Sequence, residues 1–147
     1  MPFTIRPATE GDQRTIRRLI REARLPPMNL QWPNFVIAEE DGAIIGVGQV
    51  KSHSDGSREL ASIAVIPGRQ REGIGRAVIN TLLAREAGVV LHLSCRSELQ
   101  GYYERFSFRR LEKAAYPPYF RRTTSLANLV MGFFGMHLIV MRREVST

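Results

Sequence analysis

Residues 60–76 read LASIAVIPGRQREGIGR, and this stretch decides the fold. Its first half is an apolar run typical of a buried strand, which Pro67 and Gly68 end. A helix is predicted from about Gly73 to Ala87, because apolar residues recur there at helical spacing. The first N–H groups of a helix lack intrahelical partners and carry the positive end of its dipole, so they bind anions. The stretch therefore predicts a phosphate-binding loop.

Two common nucleotide-binding motifs are absent from this loop. It contains no G-x-x-x-x-G-K-[ST], which a Walker-type site requires, and no G-x-G-x-x-G. What remains is Gln70-x-x-Gly73-x-Gly75 directly after a strand, with glycines that let a phosphate approach the backbone. We expect three arginines to add positive charge around the phosphates: Arg69, Arg71 and Arg76.

The flanking sequence predicts an α/β fold, with a mixed central sheet and helices on both of its faces. Thr9 with Asp12 and Ser97 with Gln100 resemble capping boxes, and Asp41-Gly42 is typical of a hairpin turn. We expect residues 1–147 to form a single domain. The predicted strands are 3–6, 35–39, 43–51, 58–66, 89–95, 108–111 and 136–141, and further helices are predicted after Thr9, at 98–106 and near 126–133.

Charge and cysteine content limit the function classes. The formal charge is +7, and the excess is almost all arginine, since Lys51 and Lys113 are the only lysines. Such a skew reflects genome composition as easily as function, so nucleic acid is not the expected partner. A single Cys95 excludes an internal disulfide and suits a reducing cytoplasm, and the first residues are not typical of a signal peptide. We expect a cytoplasmic protein.

The apolar run 126–141 is shorter than the roughly 20 residues that a spanning helix needs, and it contains Asn128 and His137. We interpret it as a buried helix followed by a buried strand, with no membrane partner.

Two segments, Glu59–Leu83 and Gln100–Phe108, resemble the GCN5-related N-acetyltransferase (GNAT) superfamily, and the predicted element order is similar over nearly the whole chain. The resemblance implies a GNAT-like, mainly antiparallel sheet and acetyl-CoA as co-substrate, without a metal. It also implies that main-chain groups of Ile63, Ala64 and Val65 bind pantetheine, with the Val65 amide polarising the thioester oxygen. The implied pyrophosphate-binding residues are Gln70, Arg71, Glu72, Gly73, Ile74, Gly75 and Arg76.

The second matching motif is Tyr102-Tyr103-Glu104-Arg105-Phe106-Ser107-Phe108. The resemblance implies that Tyr103 protonates the departing CoA thiolate, which suits a phenol with a pKa of about 10. The chain departs from the family pattern at three positions: Ser107 replaces the usual Gly, Arg71 a frequent Gly, and Arg96 a frequent Asn.

A base is needed to remove the proton of an attacking amine. The resemblance favours Glu59, while His53 and a water path remain alternatives. His92, His137 and Cys95 are interpreted as structural. The acceptor side of the fold would be lined by Trp32, Tyr116 and Tyr119, although core packing explains these aromatic residues nearly as well.

The sequence thus predicts an N-acetyltransferase that moves an acetyl group to a primary amine of a small molecule or peptide, by direct attack in a ternary complex. A non-catalytic CoA-binding sensor or partner module is the main alternative, and an arginine-rich RNA-associated protein is a third. The identity of the acceptor and the oligomeric state, including a homodimer, stay open.

Overall fold

The computed structural model describes residues 2–146, which divide into two compact units. Unit 1 contains the residues up to Lys51 together with Leu60–Glu86. Unit 2 contains Ser52–Glu59 together with the residues from Ala87 onward. The expectation of a single domain over residues 1–147 stays a prediction.

The strands hydrogen-bond in the order β1-β2-β3-β4-β5-β7-β6, and the pairs β1/β2, β2/β3, β5/β7 and β6/β7 are antiparallel while β4/β5 is parallel. This confirms the predicted mixed, mainly antiparallel sheet. The strands are β1 (Thr4–Pro7), β2 (Phe35–Glu40), β3 (Ala43–Ser52), β4 (Arg58–Val65), β5 (Leu91–Arg96), β6 (Arg109–Arg110) and β7 (Leu138–Arg143). The α-helices are α1 (Gln13–Glu22), α2 (Ile74–Arg85), α3 (Gln100–Glu104) and α4 (Pro118–Met131).

In unit 1, helices α1 and α2 cover opposite faces of the strands. Val47 of β3 lies in one core cluster with Ile16 and Ile20 of α1. The next residue, Gly48, faces Val78 and Leu82 of α2 instead. Successive residues of a strand point to opposite faces, so the two helices lie on either side. Near the end of β3, the side chain of Lys51 is also buried.

Local turn signals were reliable at two of three places. Asp41 and Gly42 both have positive φ, 51° and 80°, as a two-residue hairpin turn requires. The Thr9 capping box is confirmed, since the Thr9 N–H donates to Asp12 Oδ2 over 2.7 Å. The capping box predicted at Ser97 is wrong. Ser97 is the first residue of a 3₁₀ turn, Ser97–Leu99, and its hydroxyl donates to Glu98.

In unit 2, helix α4 is longer than predicted and less buried. It begins at Pro118, a residue favoured in the first turn because it has no N–H to leave unpaired. Phe120 packs with Tyr116 and Val140, but Leu126 and Leu129 are 67% and 70% exposed. The interpretation of this run as a buried helix is therefore wrong, because one side of α4 meets the core and the other does not. Among residues 2–146, no helix combines the length and apolar character needed to cross a membrane.

Candidate active site

The phosphate-binding loop predicted in unit 1 leads directly into helix α2. Gly73 is the residue before the helix, with φ +84°, and its carbonyl accepts the first helical bond from the Ala77 N–H over 3.0 Å. The N–H groups of Ile74, Gly75 and Arg76 therefore have no intrahelical acceptor. A Cβ placed at Gly73 would meet nothing within 4 Å, so space is open beside these donors. The unpaired N–H donors and the open space beside them both suit a bound phosphate group.

Arg69 holds this loop against the end of β2. Its guanidinium donates to both carboxylate oxygens of Glu40, over 2.8 and 2.9 Å, and to Glu72 over 2.9 Å. The guanidinium also lowers the pKa of the Glu40 carboxyl through these bonds. No local pattern in the sequence predicts this contact between residues 29 positions apart, and the contact engages Arg69, one of the three arginines expected at the phosphates. Arg71 and Arg76 are exposed.

Two of the departures from the family pattern lie at left-handed backbone positions. Arg71 has φ +69° and Ser107 has φ +71°, a region in which glycine is unstrained and other residues are disfavoured. Ser107 follows helix α3 as its left-handed cap, because the Phe108 N–H reaches back to the Tyr103 carbonyl over 3.3 Å. The backbone therefore keeps the glycine conformation although the side chain has changed.

Strand β4 is irregular just before the residues predicted to bind pantetheine. Ser62 adopts φ +60° within the strand, a left-handed value that a regular strand does not contain. Its hydroxyl accepts a hydrogen bond from Nε2 of the buried Gln49 over 2.9 Å. Ile63, Ala64 and Val65 complete the strand. The Gln49 hydrogen bond thus stabilises the left-handed backbone of Ser62, which directly precedes Ile63.

Glu59 and His53, the two side chains considered as bases, are hydrogen-bonded to each other. His53 Nε2 lies 2.7 Å from Glu59 Oε1, and the two side chains are only 4% and 9% exposed. Glu59 is therefore a buried carboxylate rather than a solvated strand end. A neutral His53 that donates from Nε2 to the Glu59 carboxylate carries its lone pair on Nδ1.

Tyr119 covers this pair. Its ring stacks on the His53 imidazole with centroids 3.5 Å apart and 14° between the planes. The Tyr119 N–H donates to Asp55 Oδ2 over 2.9 Å, and Asp55 Oδ1 accepts from the Ser57 N–H over 2.9 Å. The Ser57 hydroxyl, which donates to Asp55 Oδ1 over 2.6 Å, is the largest cause that lowers the pKa of Asp55 to about 2, and the two N–H groups lower it further. The turn that carries His53 is thereby tied to the start of α4.

Tyr103 is a half-buried side chain of α3 in an aromatic cluster. Its ring meets Tyr102 and Phe108 edge-on, with centroids 5.1 and 6.2 Å away. Burial raises the pKa of its phenol to about 12, with a smaller contribution from Cys95. Tyr103 therefore stays protonated at neutral pH, as a proton donor must.

The other predicted side chains differ in position. Trp32 packs against the core of unit 1, and Tyr116 is buried in the core of unit 2, so Tyr119 is the one aromatic candidate that contacts a potential base. Burial lowers the pKa of His92 and raises that of Cys95 to about 11, which suits packed rather than reactive groups. His137 is exposed.

Comparisons with known proteins bear on the family and on the fold. A family model described as the acetyltransferase (GNAT) domain matches residues 31–110. No curated protein matches at a significant level.

Solved structures share the fold at low identity. N-acetylglutamate synthase from Neisseria gonorrhoeae, complexed with coenzyme A and N-acetyl-glutamate, matches 99% of this chain with a TM-score of 0.75 and 22% identity. This chain spans 35% of that protein, about a third of its length. Rv2747 from Mycobacterium tuberculosis, in complex with CoA and NLQ, has a TM-score of 0.73 and 18% identity over 97% of this chain and 99% of its own.

The ribosomal-protein-S18-alanine N-acetyltransferase from Escherichia coli has a TM-score of 0.69 and 20% identity, over 99% of this chain and 95% of its own. These likenesses show a common fold. The family model covers more than half of the sequence, and the chain therefore belongs to the GNAT acetyltransferase family.

Proposed function

We propose that this protein transfers an acetyl group from acetyl-CoA to a primary amine by direct attack in a ternary complex. The observation that carries the proposal is the buried hydrogen-bonded pair of His53 and Glu59. A sensor that only binds CoA needs no base, whereas an aminolysis reaction does. A paired imidazole and carboxylate out of solvent is an arrangement suited to moving a proton.

The loop at the start of α2 is the proposed CoA site. The free N–H groups of Ile74, Gly75 and Arg76 and the open space at Gly73 suit a pyrophosphate, with Gln70, Arg71 and Glu72 completing the loop. Acetyl-CoA supplies the acyl group, and its thiolate takes the electron pair of the broken C–S bond. Main-chain groups of Ile63, Ala64 and Val65 are proposed to orient the pantetheine arm.

The chain's own side chains are proposed to move the two protons of the reaction. His53 Nδ1 accepts the proton that the attacking nitrogen loses, and Glu59 stabilises the imidazolium that results. The neutral Tyr103 phenol donates its proton to the thiolate as the C–S bond breaks. Burial raises the pKa of the phenol to about 12, and the same apolar surroundings raise the proton affinity of a thiolate beside it. Tyr119, stacked on His53, fixes the ring and limits access of water to it.

The acceptor is proposed to be an amine on a small molecule or a peptide. Tyr119 is the proposed aromatic contact because its ring stacks on His53. Trp32 and Tyr119 are each partly buried against a core cluster, and Tyr116 is buried within one.

Thiol release from acetyl-CoA in the presence of a panel of amines, monitored with a thiol reagent, tests the proposal. The assay has low background because Cys95 is buried with a pKa of about 11. We expect Glu59→Gln to lower kcat by about 10²–10⁴-fold, since Gln keeps a hydrogen bond but not the charge. Glu98→Gln, at an exposed carboxylate paired with Arg96, is the matched control and should keep full activity.

Tyr103→Phe should lower kcat by a similar factor and leave the Kd for CoA unchanged. The neighbouring substitution Tyr102→Phe is the control and should leave kcat unchanged. An unchanged kcat in Tyr103→Phe would remove this phenol from the mechanism. Absence of turnover with every amine, together with tight CoA binding, would favour the sensor instead.

Titration calorimetry with acetyl-CoA and dephospho-CoA tests the loop separately. Gly73→Glu places a carboxylate and a strained backbone at the proposed pyrophosphate site, so binding should be lost. Gly42→Glu is the matched control, because Gly42 has φ +80° and equally open surroundings in a hairpin turn. Loss of binding in both variants would show that strain alone, not the loop, explains the effect.

A further inference from the structure

Helix α4 carries two stripes of residues on opposite sides. Phe120, Thr124 and Asn128 recur at intervals of four and face the core of unit 2. Phe120 is fully buried, and the Asn128 amide bonds both main-chain groups of Leu138, over 3.2 and 2.8 Å. At 3.6 residues per turn, the opposite side is formed by Leu126, Leu129 and Val130, and the 3₁₀ turn Gly132–Phe134 that follows the helix carries Phe133 and Phe134. The anchored stripe fixes the rotation of the helix, so the second stripe faces outward.

This second stripe is apolar and largely exposed. Leu126, Leu129 and Val130 are 67%, 70% and 57% exposed, and the two aromatic residues that follow, Phe133 and Phe134, reach 89% and 79%. Single exposed apolar residues are ordinary, but five in nine positions form a contiguous patch of the kind that marks an interaction surface.

The polar part of the same region carries positive charge and no negative charge. From Lys113 to Arg143 the sequence contains no Asp or Glu. Arg121 and Arg122 are exposed at the beginning of α4. Arg122 lies one turn before Leu126 on the outward stripe, whereas Arg121 lies beside that stripe and its guanidinium donates to the Tyr116 carbonyl over 3.2 Å. A helix with exposed Leu and Val on one side, exposed Phe directly after its end and arginine at its polar edge is typical of segments that lie on an anionic lipid surface.

We propose that the α4 surface, defined as Arg121, Arg122 and the five exposed apolar residues from Leu126 to Phe134, docks on anionic lipid headgroups. The apolar side chains enter the headgroup–acyl boundary while the arginines pair with lipid phosphates. This is peripheral binding, and it departs from the sequence-based expectation of no membrane partner, which considered only a spanning helix.

The positive charge of the α4 surface favours an anionic lipid surface over a second copy of this chain as its partner. A two-fold interface brings the same surface together from both partners. Two α4 surfaces would bring their arginines together without a carboxylate among the residues of either surface, and Asp55 at the beginning of the helix already accepts from Ser57 and Tyr119. An anionic lipid layer supplies phosphates along the whole length of the helix and adapts to protruding phenyl rings without a preformed groove.

Co-sedimentation with vesicles tests the proposal on the full chain. Vesicles of phosphatidylcholine alone are compared with vesicles that contain about one third phosphatidylglycerol. We expect binding to the anionic vesicles, weakened by salt. The double substitution of Phe133→Ser and Phe134→Ser should lower the partition coefficient at least about tenfold without changing Tm, because both rings are exposed.

Matched variants distinguish binding through the α4 surface from nonspecific binding of the protein to lipid. Met28→Ser removes a 63% exposed apolar side chain from unit 1 and should not change partitioning. Arg121→Gln with Arg122→Gln should weaken binding about fivefold for each arginine. Arg17→Gln with Arg18→Gln removes the same charge from the exposed side of α1 and should have a smaller effect.

Three results would overturn the proposal. One is equal sedimentation with both kinds of vesicle, and another is anionic binding that the Phe133 and Phe134 substitutions leave intact. The third is a dimer in light scattering that these substitutions dissociate, which would assign the surface to a second copy of the chain.

Discussion

Gly48→Ala tests whether the contact between β3 and α2 is as tight as the structure indicates. A Cβ at Gly48 would lie 2.6 Å from Ile63 Cδ1, 2.6 Å from Val78 Cγ1 and 3.2 Å from Leu82 Cδ1. Ordinary carbon contacts are about 3.5–4.0 Å, so the two nearest methyl groups would each have to retreat by about 1 Å. Val78 is β-branched and on a helix, where one rotamer is strongly preferred.

The expected effect follows from two opposing contributions. Overpacking of a core typically costs about 1–3 kcal/mol, while replacing a strand Gly by Ala recovers about 0.5–1 kcal/mol of chain entropy. The net loss should be up to about 2.5 kcal/mol, and each kcal/mol lowers Tm by about 2–4 °C in a chain of this size.

Thermal unfolding monitored by circular dichroism measures this shift. Gly101→Ala is the matched control, because a Cβ at Gly101 in α3 meets nothing within 4 Å. There we expect a rise in Tm, from a gain of up to about 1 kcal/mol. If Gly48→Ala raised Tm as Gly101→Ala does, the packing of α2 on β3 would be looser than argued.

Three further outcomes are expected. Ser107→Gly should raise the free energy of unfolding by up to about 1 kcal/mol in urea titrations, since it relieves a left-handed serine; a loss of stability would show that the serine side chain contributes more than its strain costs. Because burial raises the pKa of Tyr103 from 10 to about 12, the unfolded chain releases this proton first, so stability should fall as pH rises from 10 towards 12, and Tyr103→Phe should reduce that fall. Because the pKa of Asp55 is lowered from 3.8 to about 2, its contribution is present above pH 3.8 and is lost as pH falls towards 2; Asp55→Asn should remove this part of the acid dependence, and a wild-type acid profile in that variant would contradict it.

Local signals in the sequence predicted most of unit 1. The hairpin at Asp41-Gly42, the Thr9 capping box and the start of α2 each depend on residues within a few positions of one another. Backbone preferences act over the same short range, so these features could be found without tertiary information.

Contacts between distant residues decided what the sequence could not predict. Arg69 and Glu40 are 29 positions apart, and Asp55 and Tyr119 are 64 apart. The sequence offered Glu59 and His53 as alternatives, but their pairing depends on the turn between them and on Tyr119 above the imidazole. The sequence predicts a buried helix near 126–133, whereas α4 begins at Pro118 and has one exposed side. An exposed apolar stripe has the same spacing as a buried one, so the pattern alone does not distinguish them.

The burial of Lys51 has a consequence for the chemistry of the chain itself. It leaves Lys113 as the one exposed lysine among the described residues, while arginine carries nearly all of the remaining positive charge. Lysine is a target of acetylation, whereas a guanidinium stays protonated and is a poor nucleophile. Self-modification of side chains during prolonged exposure to an acetyl donor is thereby confined to a single lysine, and amine-reactive labels directed at lysine will report from that same position.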